Sequence, residues 1–168
     1  MTKHTIEIGE EIMTLAVELL SACRERGERI ATAESCTGGL LAATITAIPG
    51  CSDCFERGFV TYSNVSKSEM LGVPVWLIER HGAVSEDVAR AMAGGVLTHS
   101  RATLAVSVTG IAGPDGGTAE RPVGLVHFAA GRRDEPIVHE QALFGDLGRG
   151  EVQRRSVRQA LKLLRSLL

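Results

Sequence analysis

A short apolar run that ends in a glycine turn and continues as a helix constrains the fold of this chain most. Residues 29–34 (RIATAE) have the length and apolar character of a buried strand. A tight turn at residues 37–39 (TGG) follows, and residues 40–47 (LLAATITA) predict a helix that ends at the Pro-Gly pair 49–50. The order strand, turn, helix is typical of an α/β domain, in which helices cover a sheet.

The remainder of the chain alternates between helical and extended patterns. Helical periodicity predicts helices over residues 8–25, 75–82, 85–100 and from about residue 150 to the end. Apolar or alternating runs predict strands over residues 57–63, 103–110, 123–130 and 137–144. The last two strands must be antiparallel, because the turn between them is too short for a crossover. We therefore expect a three-layer α/β/α sandwich with a mixed, mostly parallel sheet of about five strands.

Charge and hydropathy exclude several classes of function. The net charge of −2 gives no global attraction to nucleic acid or to an anionic membrane. No segment approaches the roughly 18 apolar residues that would span a bilayer, and the first residues lack the apolar core of a signal peptide. The basic face of the last helix has no interleaved aromatic residue, which favours a solvated surface over a nucleic-acid site. We expect a cytoplasmic protein with neither a membrane nor a nucleic-acid partner.

The four cysteines all lie in the first third of the chain, at positions 23, 36, 51 and 54. In a reducing compartment they are thiols by default. The pair Cys51-x-x-Cys54 supplies at most half of a zinc site, because no later Cys or His pair has ligand spacing. We expect no bound metal.

Two glycine-rich loops follow predicted strands, at the sheet edge where open α/β proteins bind ligands. They are residues 34–39 (ESCTGG) and 109–117 (TGIAGPDGG), and neither matches a Walker or a G-x-G-x-x-G motif. The first loop leads into a helix N-terminus, which attracts a phosphate or an oxyanion. It also offers three candidate nucleophiles in a row, Ser35, Cys36 and Thr37, between which residue type alone does not decide.

A serine nucleophile needs a base, and none of the five histidines has a sequence neighbourhood that singles it out. Lys67 follows the second predicted strand, which would bring it to the same sheet edge as Ser35. A lysine desolvated in a pocket can lose its proton near neutral pH and activate a serine, whereas a surface lysine cannot. Tyr62, the single tyrosine of the chain, could relay a proton or hold the ammonium.

Several long segments are similar to a known family. In chain order they are AESCTGG, PGCSDCFERGFVTYSNVSK, LGVP, RHGAVSEDVARAMA, VSVTGIAGPDGGTAERPVGLV and FGD. They closely resemble the CinA C-terminal domain family, that of the PncC-type nicotinamide-nucleotide amidases, from about residue 8 to the end. The resemblance implies a single amidase domain over residues 1–168. It also implies a homodimer that hydrolyses the carboxamide of nicotinamide mononucleotide to nicotinate mononucleotide and ammonia, without a cofactor.

The resemblance also implies residue roles. Ser35 is the expected nucleophile, Lys67 the general base and Tyr62 a third catalytic residue, while backbone N–H groups of residues 36–39 are expected to stabilise the oxyanion. The family's arginine after FGD corresponds to Arg149 after a two-residue insertion, with Arg154 as the alternative. The residues expected to bind substrate are Cys36, Thr37, Gly38, Gly39, Asn64, Thr109, Gly110 and Arg149.

Two alternatives stay open at this point. In the first, Cys36 is the nucleophile as a thiolate, with Glu34 and Lys67 completing the set, because a thiol at a helix N-terminus can have a lowered pKa. In the second, the chain is a non-catalytic nucleotide-binding or regulatory module that has kept the pocket.

Overall fold

A computed structural model of the protein describes residues 7–168. Over this range the helices are α1 (Glu10–Arg26), α2 (Leu40–Thr46), α3 (Asn64–Leu71), α4 (Val75–His81), α5 (Glu86–Thr98) and α6 (Arg149–Ser166). The strands are β1 (Ile30–Glu34), β2 (Phe55–Val60), β3 (Leu104–Gly110), β4 (Leu125–Arg132) and β5 (Val138–Leu143). A single 3-10 turn, Cys51–Asp53, precedes β2.

The five strands form one mixed sheet in the order β2-β1-β3-β4-β5. Strand β1 pairs in parallel with both β2 and β3, while β4 is antiparallel to both β3 and β5. Four strands therefore run in one direction and β4 runs in the other. This confirms the mixed, mostly parallel sheet and the antiparallel last pair predicted from the sequence.

Helices cover both faces of the sheet, which confirms the three-layer sandwich. Helices α1, α2 and α6 share one buried cluster with the sheet, and α3, α4 and α5 share the other. The alternation of side chains along a strand produces this division, since Ile30 of β1 belongs to the first cluster and its neighbour Ala31 to the second. Among the helices of residues 7–168, none combines the length and the apolarity that a bilayer crossing requires.

The segment around residues 57–71 differs from its sequence prediction. Strand β2 ends at Val60 instead of continuing to residue 63, and helix α3 was not predicted. Ser63 caps α3, with its side chain accepting a hydrogen bond from the Ser66 N–H at 3.1 Å. The two buried side chains of α3 are Lys67 and Leu71. Because one of the two is a lysine, the sequence shows no apolar stripe that would predict this helix. The bounds of the other elements agree within about two residues.

Helices α3 and α5 approach each other closely at Gly95. A Cβ atom at Gly95 would overlap the carbonyl oxygen of Leu71 and would lie 2.8 Å from the Leu71 Cβ. Leu71 is the last residue of α3, one turn beyond Lys67. The missing side chain at Gly95 therefore lets the helix that carries Lys67 lie against α5.

We expect Gly95→Ala to lower the free energy of unfolding by about 1–3 kcal/mol, because the added methyl group must push α3 away from α5. Gly94→Ala is the matched control in the same helix, since a Cβ there meets only the Ile137 Cδ1 atom, at 3.4 Å. The control should gain up to about 1 kcal/mol, because alanine favours a helix over glycine. Urea unfolding of both variants measures the difference, and equal stabilities would contradict the close contact.

Candidate active site

A cavity of about 260 Å³ opens at the C-terminal ends of the neighbouring strands β1 and β3. Ser35 follows β1 directly, and the loop from Ile111 to Gly116 follows β3. The first residues of α3 and of α6 and the loop before α5 complete the wall. This is the sheet edge at which the two glycine-rich loops were predicted to meet.

The Ser35 hydroxyl and the Lys67 amine are in contact at the base of the cavity. The Lys67 Nζ atom lies 3.1 Å from the Ser35 Oγ, 2.8 Å from the Thr61 carbonyl oxygen and 3.5 Å from the Tyr62 carbonyl oxygen. Lys67 is only 1% exposed. The Ser35 N–H donates to the Val108 carbonyl at 2.9 Å, so the β1–β3 ladder continues into the serine and fixes its position.

Burial lowers the pKa of Lys67 from its ordinary value of 10.5, because the interior solvates the ammonium poorly. A neutral amine has two N–H groups and one lone pair. Carbonyl oxygens only accept, so those of Thr61 and Tyr62 can take the two N–H groups and leave the lone pair for the Ser35 hydroxyl. The arrangement suits Lys67 to act as a base toward Ser35.

The Glu34 carboxylate occupies the N-terminus of α2. Its two oxygens accept hydrogen bonds from the backbone N–H groups of Leu41 at 2.8 Å and Ala42 at 3.0 Å, and the side chain is fully buried. These N–H groups belong to the first turn of the helix and have no acceptor within it. From the sequence, this helix N-terminus was expected to attract a bound anion. Glu34 therefore caps the helix.

Cys36 is poorly suited to be the nucleophile. Burial, with a smaller contribution from the neighbouring Glu34, raises the pKa of its thiol to about 12. The thiol therefore stays protonated at neutral pH. The thiolate alternative requires an ionised sulfur and a Glu34 free to assist it, and neither is present here.

The turn after Ser35 is held by backbone hydrogen bonds. The Gly38 N–H donates to the Ser35 carbonyl at 3.0 Å, and Gly38 and Gly39 have φ values of 58° and 99°, which favour glycine. Cys36 lines the cavity, whereas Thr37, Gly38 and Gly39 are not part of its wall. Within residues 7–168, no backbone or side-chain oxygen accepts the N–H groups of Cys36 and Thr37.

At the mouth of the cavity, the guanidinium of Arg149 bridges two segments. It donates to the Tyr62 hydroxyl at 2.7 Å and to the Gly113 carbonyl at 3.0 Å. Arg154 lies elsewhere on α6 and pairs with Glu151 at 2.7 Å. The structure thus brings Arg149 to the cavity, and the Tyr62 phenol contacts this arginine instead of Lys67 or Ser35.

The remaining predicted residues also lie at the cavity. The Thr109 hydroxyl donates to the Ala83 carbonyl at 2.8 Å and so ties the end of β3 to the loop before α5. Gly110 allows a close approach to β4, since a Cβ there would lie 2.7 Å from the Val126 Cγ2. Asn64, the first residue of α3, is exposed on the wall.

Sequence reasoning missed two polar residues at or beside the site. Asp115 lies in the glycine-rich loop after β3 and lines the cavity, and its position inside GPDGG was a usable signal. Gln153 of α6 lies behind the turn after Ser35, where its Nε2 atom donates to the Cys36 carbonyl at 2.9 Å. No sequence signal pointed to Gln153, because 117 residues separate the two partners.

The cysteines and acidic residues do not assemble into a metal site in the part of the chain that the structure describes. No three His, Cys, Asp or Glu side chains of residues 7–168 are placed to hold one ion. The thiols of Cys51 and Cys54 lie 3.7 Å from the Thr46 carbonyl and 3.6 Å from the Leu20 carbonyl. All four cysteines are free.

Comparison with known proteins gives matches over nearly the whole chain. Residues 12–168 match the sequence profile of the CinA C-terminal domain. The nicotinamide-nucleotide amidohydrolase PncC of Escherichia coli (strain K12) is 50% identical over 155 residues, which are 92% of this chain and 93% of that protein.

Solved structures show the same fold. The competence/damage inducible protein CihA from Agrobacterium tumefaciens is 46% identical with a TM-score of 0.94, covering 97% of this chain and 99% of that one. The competence damage-inducible protein A (ComA) from Klebsiella pneumoniae subsp. pneumoniae is 35% identical with a TM-score of 0.88, covering 92% and 95%. These matches confirm the resemblance seen in the motifs, and the chain belongs to the CinA C-terminal domain family.

Proposed function

We propose that this protein hydrolyses the carboxamide of nicotinamide mononucleotide to nicotinate mononucleotide and ammonia, with Ser35 as the nucleophile. The observation that carries the proposal is the contact of 3.1 Å between the buried Lys67 Nζ and the Ser35 Oγ. The name of the E. coli relative supports the substrate, since half of the aligned residues are identical. The proposed nucleophile and the proposed base lie together in one cavity, which supports covalent catalysis of acyl transfer.

In the first step, the neutral Lys67 amine takes the Ser35 proton as the Oγ atom adds to the carboxamide carbon. The Thr61 and Tyr62 carbonyls then stabilise the ammonium that forms, because each accepts one of its N–H groups. The uncommitted N–H groups of Cys36 and Thr37 are the proposed oxyanion donors. Each such donor contributes about 3 kcal/mol in comparable sites.

In the second step, the carbon–nitrogen bond of the tetrahedral intermediate breaks. Lys67 returns the proton to the leaving nitrogen, ammonia departs, and the nicotinoyl group remains as an ester on Ser35. Water then attacks this ester while Lys67 again accepts a proton, and collapse of the second intermediate returns that proton to Ser35. These steps use only groups of the protein, the substrate and water.

The mouth of the cavity provides the groups that would hold the nucleotide. Arg149 is a permanent cation that binds phosphate through charge-assisted hydrogen bonds. Asp115 can accept hydrogen bonds from the ribose hydroxyls, and the backbone of residues 110–116 allows close approach. Tyr62 is 59% exposed and rests on Arg149, so we place its phenol beside the nucleotide. The homodimer and the absence of a nucleic-acid partner stay predictions.

We expect Ser35→Ala to lower ammonia release from nicotinamide mononucleotide by at least about a thousandfold, because no other side chain can form the ester. Cys36→Ala removes only the thiol and should keep turnover within about tenfold. A coupled ammonia assay on both purified variants measures this. The reverse pattern would make Cys36 the nucleophile, and tight binding of nucleotide without ammonia release would favour the non-catalytic module.

The rate should rise with pH, because only the neutral form of Lys67 can accept the Ser35 proton. Burial lowers the pKa of Lys67, so kcat/KM should level off at a pH below the 10.5 of an ordinary lysine. Lys67→Arg should lose activity at every pH, since a guanidinium stays protonated. Initial rates across the pH range test this, and a rate independent of pH with a fully active Lys67→Arg variant would contradict it.

Arg149→Ala should raise KM for nicotinamide mononucleotide by about 10- to 100-fold, because a charged hydrogen-bond partner of the phosphate is lost. Activity on free nicotinamide should be poor in the unmodified protein and no worse in the variant. Arg154→Ala is the control, since Arg154 pairs with Glu151 outside the cavity. Steady-state kinetics with both substrates measure kcat and KM for the unmodified protein and the two variants. Comparable activity on nicotinamide and on its mononucleotide would rule out the proposed phosphate contact.

A further inference from the structure

Gln153 of helix α6 contacts the turn after Ser35 from outside the cavity. Its side chain is 7% exposed, and its Nε2 atom donates to the Cys36 carbonyl at 2.9 Å. Gln153 does not belong to the cavity wall. A buried amide that bonds to one backbone carbonyl of the nucleophile turn can act on the reaction only through that peptide.

Because the peptide bond is planar, a contact to one carbonyl also fixes the direction of the next N–H group. In a trans peptide the C=O of one residue and the N–H of the next point in opposite directions. Holding the Cys36 carbonyl therefore fixes the direction of the Thr37 N–H. In the same way, the Gly38 N–H holds the Ser35 carbonyl at 3.0 Å and fixes the direction of the Cys36 N–H. The N–H groups of Cys36 and Thr37 are thus both oriented from the carbonyl side of their peptides.

We propose that Gln153 is a positioning residue, which orients the Cys36–Thr37 peptide so that the turn presents its backbone donors to the oxyanion. The inference rests on the proposed function and adds to it a residue that never touches the substrate. Without the amide, the Cys36 carbonyl loses its partner and the peptide can rotate away. The variant would then stabilise the transition state less and bind the substrate equally well, because the negative charge develops only in the transition state.

Helix α6 connects this contact to the mouth of the cavity. Arg149 and Gln153 are four residues apart and lie on the same side of the helix. The first donates to Gly113 and Tyr62, and the second to the turn after Ser35. One rigid helix therefore fixes a substrate contact and the orientation of the turn together.

Gln153→Met tests the role of the amide, since methionine has a similar length and no N–H donor. We expect kcat to fall about 10- to 100-fold while KM for nicotinamide mononucleotide changes by less than about threefold. Ser156→Ala is the matched control, because Ser156 is buried in the same helix and its hydroxyl donates only to the Val152 carbonyl, at 2.7 Å. The control should lose stability without losing kcat.

Gln153→Glu provides a second variant of nearly the same shape. Its ionised carboxylate cannot donate to the Cys36 carbonyl, whereas its protonated form can. The ratio of its kcat to that of the unmodified protein should therefore rise as the pH falls. A ratio that stays constant with pH would contradict a hydrogen bond as the origin of the effect.

Labelling of Ser35 by a fluorophosphonate gives a readout that does not depend on the natural substrate. The Ser35 Oγ forms a bond to phosphorus, the P–F bond breaks, fluoride leaves, and Lys67 takes the hydroxyl proton. The phosphoryl oxygen uses the same backbone donors as the oxyanion. Mass spectrometry should show labelling of Gln153→Met slowed about 10-fold or more, and labelling of Ser156→Ala unchanged.

The two readouts separate this inference from the proposed function. If the unmodified protein is labelled at Ser35 but releases no ammonia, the proposed substrate is wrong and the labelling rates still decide the role of Gln153. Equal labelling rates and equal kcat in Gln153→Met and the unmodified protein overturn the inference. A matching loss in Ser156→Ala also overturns it, because the effect then reflects helix stability. Absence of labelling at Ser35 in the unmodified protein overturns both proposals.

Discussion

The burial of one lysine beside one serine is the constraint on which the site depends. An ammonium removed from water is unfavourable unless polar groups replace its hydration. Here Lys67 is 1% exposed, and the carbonyls of Thr61 and Tyr62 supply that replacement. Strand β2 must therefore end at Val60 so that the next two residues can turn their carbonyls to the amine. The approach of α3 to α5 at Gly95 keeps the lysine under the serine.

A second buried acidic side chain, Glu34, lies next to the turn that carries the candidate nucleophiles. Glu34 accepts the N–H groups of Leu41 and Ala42, so these donors of the first turn of α2 already have a partner within the protein. Burial keeps the Cys36 thiol protonated, and Glu34 adds to that effect. Glu34 thus favours the serine over its neighbour without taking part in the chemistry.

The sequence predicted the sheet, the layers and the meeting of two loops at one sheet edge, because those features follow from apolar periodicity and glycine turns. Helix α3 was not predicted, because its buried face carries Lys67 at a position where an apolar residue would be expected. The sequence could not show which of Arg149 and Arg154 lies at the cavity, because both lie in the first turns of one helix. Gln153 was missed because its partner is 117 residues away, and contacts of that range leave no local pattern.

Helix α6 connects the proposed phosphate contact to the turn after Ser35. Arg149 reaches the mouth of the cavity and Gln153 the turn after Ser35, and the backbone between them is a single helical turn. Gln153 already donates to the Cys36 carbonyl at 2.9 Å, so under the proposed mechanism the turn is oriented before the nucleotide binds. Arg149 would then act on binding and Gln153 on the chemical step, although one turn of α6 carries both residues.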